Sequence, residues 1–165
     1  MDHSKFNQIK AFFLDVDGVL TDGSVIVTES GELLRTMSVK DGQALKYALD
    51  KGYFIAIITK GKSKGVRVRL AGLGIKHIND NLTTKADTIR DLIHIHRLKK
   101  EEVLYMGDDI PDLKAKGLVG IFACPSDAEP EVLKNADYIS PKGGGKGCVR
   151  EVLRRVLKIQ SNWIY

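Results

Sequence analysis

Cysteine is scarce in this chain. Only Cys124 and Cys148 occur, at a spacing that matches no metal-binding pattern, so a zinc module is excluded and reduced thiols are expected. No apolar run approaches the length of a membrane span, and no transmembrane helix or membrane partner is expected. The opening residues MDHSKFNQIK lack the apolar stretch of a secretory leader. A cytoplasmic protein is the expectation from these absences. Aromatic residues make up 7% of the chain, and none interleaves with the basic concentration from Lys60 to Arg69. That argues against single-strand nucleic-acid binding. The net charge of +5 then points to anionic small molecules. Neither an internal repeat nor a linker interrupts the 165 residues, which suit one domain spanning 1–165.

What is present is organised around Phe13 to Asp22, FLDVDGVLTD. An apolar run ends in Asp15 and Asp17, and Gly18 follows at once. Two acids one residue apart reach one site only where the chain bends, and glycine permits the bend. Ligands of open α/β sheets bind outside the carboxyl ends of the strands, so this is a reasonable place for Mg²⁺. Taken alone, the stretch also reads as an Asp-rich turn whose carboxylates bond nearby backbone N–H groups.

The remaining pattern decides between these readings. Residues 10 to 15 read as a buried strand. Residues 24 to 28 and 33 to 39 flank a Glu-Ser-Gly-Glu turn signal and predict a hairpin over about 23 to 39. Asp41 is expected to cap a helix carrying Ala44, Leu45, Ala48 and Leu49 on one face, closed by Gly52. YFIAIIT, 53 to 59, is a second apolar strand ending in Thr59. A basic helix over roughly 62 to 72, a short strand at 75 to 78 and a helix starting at Thr83 or Thr84 follow. VLYM, 103 to 106, is a further strand and runs into Gly107, Asp108 and Asp109, with Pro111 opening a short helix. Strands at 119 to 122 and 137 to 139, a short helix from about 130 and a last helix from about 148 to 159 complete the chain. Alternation of this kind predicts an α/β fold: a Rossmann-like parallel sheet with helices on both faces. Three strand ends then carry Asp15 and Asp17, Thr59, and Asp108 and Asp109. Random turn residues would not concentrate carboxylates and hydroxyls at one end of successive buried strands.

Such a site suits a phosphate monoester. Mg²⁺ held by Asp15, Asp17 and Asp108 would neutralise the phosphoryl oxygens. Asp15 would attack phosphorus, and Asp17 would protonate the leaving oxygen and later activate water. Thr59 offers a hydroxyl and Lys85 a compact positive charge. Other features carry no chemistry. His94 and His96 lie about 200° apart on a helix and form no metal pair. KGGGKG lacks the Lys-Ser/Thr of a phosphate loop, and Cys148 suits the core.

In this order DVDGVLTDG, IIT, Lys85 and GDDIPD resemble the haloacid dehalogenase superfamily of phosphatases. More narrowly, the chain from about 8 to 158 is similar to its small capless members that act on 3-deoxy-D-manno-octulosonate 8-phosphate, a lipopolysaccharide precursor. That similarity adds the hairpin, VKDGQALK, LGI, ADYIS and GGGKGCVREVL to the four motifs. The resemblance implies a nucleophile at Asp15 and an acid/base at Asp17, which also binds metal through its backbone carbonyl. Asp108 matches the metal-binding acid and Asp109 its neighbour supporting the metal's water. Thr59 and Lys85 match the phosphate-binding pair, and Arg69 matches a substrate-contacting arginine. Lys60 departs from the pattern, standing where the family has glycine, with Gly61 next. A side chain there either meets the sugar carboxylate or points to solvent, and it bears on which sugar is bound rather than on the reaction.

The sequence leaves alternatives open: a nine-carbon keto-sugar phosphate, or a non-catalytic assembly module of the same fold. A phospho-acceptor receiver domain is disfavoured by the acid two residues after Asp15. Neither gap between motifs has room for a cap domain, so something else must cover the sugar. The hairpin carries Val25, Ile26, Val27, Leu33, Leu34 and Met37 on both faces, and a lone hairpin of this kind is marginal in water. A homotetramer, which the resemblance also implies, would bury it. The GGGKG loop, taken as mobile, and the tail with Trp163 are further candidates for closing the site.

Overall fold

The computed structural model describes residues 3–164. Its centre is a six-stranded parallel sheet in the order β5-β4-β1-β6-β7-β8. The strands are β1 (Ala11–Leu14), β4 (Phe54–Ile58), β5 (His77–Asn79), β6 (Val103–Met106), β7 (Ile121–Cys124) and β8 (Tyr138–Ile139). The remaining two, β2 (Ile26–Val27) and β3 (Leu33–Leu34), form the predicted hairpin as a separate antiparallel pair. It is shorter than the sequence suggests, because pairing stops at Leu34, after which Arg35 turns toward the site.

Near-continuous apolar strands are the signature of a sheet covered on both faces. Here Phe12, Leu14, Ile55, Ile57, Leu104 and Met106 face one core, and their alternate neighbours face the other. The first core is closed by α1 (His3–Asn7), α2 (Val39–Asp50), α3 (Lys64–Gly72) and α6 (Cys148–Ile159). Covering the second are α4 (Lys85–Ile95) and α5 (Pro130–Asn135). Among the described residues no helix is long and apolar enough to cross a membrane. After β1 the chain builds outward through β4 to β5, then returns to place β6 on the other side of β1. That reversal is the switch point where such sheets bind ligands.

Three local expectations are corrected. Ser38, not Asp41, caps α2, its Oγ accepting from Asp41 N at 3.2 Å. The buried Asp41 carboxylate instead accepts from Arg150 N at 2.7 Å, capping the first turn of α6 from a distant part of the chain. β7 runs over Ile121–Cys124, two residues later than expected, although Gly120 N already donates to Val103 O at 3.1 Å. Within the chain, the described residues of the tail pack away from the strand ends that carry the acids. Gln160 Nε2 donates to the carbonyls of Phe6 and Ile9, ahead of β1, and Trp163 packs edge-on against Tyr47 with ring centroids 5.0 Å apart. Tyr165, the end of that tail, lies outside the described residues.

Packing of α2 on α6 is the largest helix–helix contact, and Leu45 sits fully buried within that core. Leu45→Ala should cost about 2–5 kcal/mol of stability by the usual transfer and cavity terms. Val68→Ala, on the exposed side of α3, should stay within about 0.5 kcal/mol. Urea denaturation of the two variants checks both values.

Candidate active site

Parallel strands end on one side, so the residues after β1, β4 and β6 converge. Asp15 N donates to Met106 O at 3.0 Å, extending the β1–β6 pairing one residue into the site. The chain then turns sharply: Leu20 N and Thr21 N both donate to Val16 O, and Thr21 Oγ1 accepts from Gly18 N and Gly23 N. Gly18 adopts φ +83°, a conformation that favours glycine. A Cβ there would stand 1.9 Å from Asp108 Oδ2, so the turn and the Asp108 carboxylate are in direct contact.

At the centre lies the ammonium of Lys85, the first residue of α4. Its Nζ is 2.6 Å from Asp15 Oδ2 and 2.7 Å from Asp112 Oδ1, and all three side chains are buried. Burial opposes the charge on Lys85, yet the two carboxylates hold its pKa above the ordinary value. Burial, with the Asp112 charge added, lifts Asp15 to about 6 against the pull of Lys85. Asp108 is lifted to about 7, first by burial and then by the charges of Asp15 and Asp112. Asp112 is fully engaged: Oδ1 also accepts from Tyr105 OH at 2.5 Å, and Oδ2 accepts from Asp108 N and Asp109 N.

The sequence reading had no role for Asp112 or Tyr105. The available signal was the third acid of GDDIPD, which a 3-10 helix (Ile110–Ala115) folds back beneath the first. Asp109, by contrast, is exposed, and its Oδ1 accepts from Ile110 N as the cap of that helix.

Asp17 points away from the acidic cluster. Its Oδ1 accepts from Arg35 Nε at 2.6 Å and its Oδ2 from Nη2 at 3.3 Å. The Arg35 side chain is 8% exposed and that of Asp17 37%. Arg35 was also missed by sequence reasoning, being one basic residue among many on a hairpin. Thr59 is buried, with its Oγ1 accepting from Gly61 N at 3.2 Å. A Cβ at Gly61 would lie 3.0 Å from Asp17 Oδ2. Thus Gly61 is the residue against Asp17, whereas Lys60 is exposed. Arg69 is exposed on α3 and lines a groove between that helix and the hairpin with Arg35, Lys62 and Lys64.

Three carboxylates surround a single ammonium. Asp15, Asp108 and Asp112 each offer an oxygen within 4.8 Å of the others, and Asp108 Oδ1 is buried without a hydrogen-bond partner. An orphaned buried carboxylate oxygen in an acidic cluster is unfavourable unless a cation meets it. All-oxygen donors suit a hard divalent cation such as Mg²⁺. The Lys85 ammonium within the cluster is a donor for an anion, and the Thr59 hydroxyl stands at the end of β4, the strand next to β1.

No family model matches the chain. It is, however, 38% identical to the 3-deoxy-D-manno-octulosonate 8-phosphate phosphatase KdsC of Escherichia coli K12 over 158 residues, 96% of this chain and 84% of that one. The KdsC of Yersinia pestis is 33% identical over 153 residues, 93% of this chain and 82% of that one. A crystal structure of the Yersinia pestis phosphatase matches with a TM-score of 0.94 and 31% identity, over 97% of this chain and 86% of that one. The Moraxella catarrhalis phosphatase, in complex with magnesium, phosphate and KDO, matches with a TM-score of 0.93 and 36% identity, over 97% and 92%.

The electrostatics of the cluster give a test. Both carboxylates have folded-state pKa values raised above those of the unfolded chain. Their contribution to stability is therefore full below about pH 4 and is lost as pH rises through about 6 for Asp15 and about 7 for Asp108. In EDTA this cluster should make the protein less stable at about pH 8 than at about pH 5, and Mg²⁺ should raise the unfolding midpoint most at about pH 8. Asp108→Asn should flatten that pH difference and remove most of the Mg²⁺-induced shift, as read by urea denaturation.

Proposed function

Because this chain belongs to the 3-deoxy-D-manno-octulosonate 8-phosphate phosphatases of the haloacid dehalogenase superfamily, we propose that it hydrolyses that sugar phosphate to the free sugar acid and phosphate. The observation that carries the reading is the Lys85 ammonium set between Asp15 and Asp112, beside the unpartnered oxygen of Asp108. That arrangement offers a cation site, a buried carboxylate and an anion-binding donor within one small volume.

In this reading Asp15 attacks phosphorus. A bond forms between its carboxylate oxygen and phosphorus as the bond to the sugar oxygen breaks, leaving an aspartyl phosphate. Asp17 protonates the departing sugar oxygen, then takes a proton from the water that displaces Asp15. The Thr59 hydroxyl and Lys85 ammonium hold the phosphoryl oxygens throughout. Asp15, Asp108 and the Asp17 backbone carbonyl would hold Mg²⁺, which when bound supplies neutralisation of the phosphoryl charge. Asp112 supports the site through Lys85 and the backbone of Asp108 and Asp109, where Asp109 braces the same loop. The basic groove with Arg35, Lys62, Lys64 and Arg69 suits an acidic sugar. A second reading, a nine-carbon keto-sugar phosphate, draws support from Lys60-Gly61, since Gly61 abuts Asp17 where the sugar would leave.

Assembly belongs to the same proposal. The chain acts as a single domain and as a homotetramer in the cytoplasm. Ile26 and Val27 are 63% and 65% exposed, and Leu33 and Leu34 beside them are about half exposed. An apolar two-stranded hairpin left in water is an interaction site, and copies of it packed together would wall an uncapped site.

Purified protein should release phosphate from 3-deoxy-D-manno-octulosonate 8-phosphate with Mg²⁺ and not in EDTA. Asp15→Asn should abolish turnover, and Asp17→Asn should lower it by about 10²–10⁴-fold. Wild-type-like release by Asp15→Asn would remove the nucleophile assignment, and a faster rate on nine-carbon esters would favour the second reading.

Val27→Lys should shift light-scattering mass from four chains toward one and lower activity in parallel. A fully active monomer would dispose of the assembly.

A further inference from the structure

The glycine-rich segment 142–147 is not a phosphate loop, and nothing in the proposed chemistry uses it. Its backbone nevertheless lies against the turn that carries Asp17. A Cβ at Gly144 would stand 2.0 Å from Gly18 O and 2.8 Å from Thr21 O. At Gly145 it would stand 2.8 Å from Asp22 N, and Gly145 N donates to Val19 O at 2.9 Å. The Sγ of Cys148 adds a contact to the same Val19 carbonyl at 3.2 Å. The segment is thus hydrogen-bonded to the turn through the Val19 carbonyl.

A second loop fixes the first. Asp127 Oδ1 accepts from Gly144 N at 2.9 Å, and a Cβ at Gly143 would meet Asp127 Oδ2 at 2.5 Å. Ser126 N donates to Lys142 O, and two residues after Asp127 the backbone of Glu129 donates to Asp108 O at 2.9 Å. A closed circuit results: Asp108 to the 125–129 loop, through Asp127 to the glycine segment, to the Gly18 turn, and back to Asp108. Gly18 is held between two of these partners, with the Asp108 carboxylate on its α-carbon and the Gly144 backbone on its carbonyl.

From this circuit we infer that the glycine segment, locked by Asp127, positions the turn that aims Asp17, and that Gly144 and Asp127 are positioning residues for the acid/base step. The inference rests on the aspartyl-phosphate reading above. Asp15 shares one contact with the turn, the Val16 N–H that its Oδ1 accepts at 2.7 Å, but its main anchors lie elsewhere, in the β1–β6 pairing and Lys85. With Mg²⁺ at saturation, to offset any shift of the Asp17 carbonyl and the Asp108 carboxylate, moving the turn should harm the aim of the Asp17 side chain more than the attack by Asp15.

That separation is measurable with 4-nitrophenyl phosphate, whose leaving group departs without a proton. Asp15 forms its bond to phosphorus as nitrophenolate leaves, and turnover then needs Asp17 to take a proton from the attacking water. In Gly144→Ala we expect a burst of about one nitrophenolate per site, then a steady rate at least about tenfold below wild type. The Asp127→Ala variant should behave likewise but more mildly, and Asp127→Asn, which keeps the acceptor oxygen, should restore wild-type-like rates. If Gly144→Ala does not fold, the Asp127 pair decides alone. Wild-type steady rates in folded Gly144→Ala or in Asp127→Ala overturn the inference, as does loss of burst and turnover together. A wild-type protein that releases no phosphate from any ester fails the functional reading itself, a result distinct from all of these.

Discussion

A buried ammonium between two buried carboxylates is the constraint on which the site depends. Removing ions from water costs several kcal/mol each, and the cost is offset only where every charge is closely paired. Lys85 meets that condition with Asp15 and Asp112. Asp112 meets it again through Tyr105 OH and two backbone N–H groups. The pairing stops short at Asp108, which shares the cluster and has an oxygen with no partner. One positive charge among three carboxylates leaves the interior short of a cation. The deficit is a property of the fold itself, and it explains why burial and like charge raise Asp15 and Asp108 together.

Close approach of backbone makes that density possible. Side chains alone could not bring three acids from two strand ends and a short helix so near one lysine. Gly18 lets the first turn lie on the Asp108 carboxylate, and Gly107 lets Asp112 fold beneath β6, where a Cβ would stand 2.3 Å from its Cγ. The sheet supplies the common direction and the glycines remove the last few ångströms. The α-helices contribute mainly as cover, except α4, whose first residue is the central lysine.

Strand order along the chain, the hairpin, both helical layers and the placing of Asp15, Thr59 and Asp108 after strands that end on one side were legible because each depends on local pattern, whereas Lys85 stood out only together with the family motifs. Apolar runs mark β1, β4 and β6, and the polar residue after each run falls at the same sheet edge. Partners set by tertiary folding were not legible. Asp41 looks like a local cap and instead caps α6, 109 residues away in sequence. Asp112 looks like one more acid in a turn, and only the 3-10 geometry directs it inward. Lys60 departs from the family pattern, yet the residue is exposed and the contact with Asp17 belongs to Gly61. A one-residue shift of this kind cannot be read from spacing, because the loop after β4 decides which residue turns inward.

The hairpin joins the two levels of organisation. Its paired residues are apolar and exposed, so within one chain they gain little from folding. Immediately after β3, however, Arg35 reaches into the site and grips Asp17 through two nitrogen atoms. Its side chain is buried and that of Asp17 is not, so the arginine is the better-anchored partner of the pair. Any force that moves β2 and β3 is therefore transmitted to the carboxylate proposed as acid and base. A hairpin packed by neighbouring copies would hold Arg35 in one place, and a hairpin in water would let it wander. The surface that the fold leaves bare and the arginine that holds the proposed acid and base are thus mechanically one element.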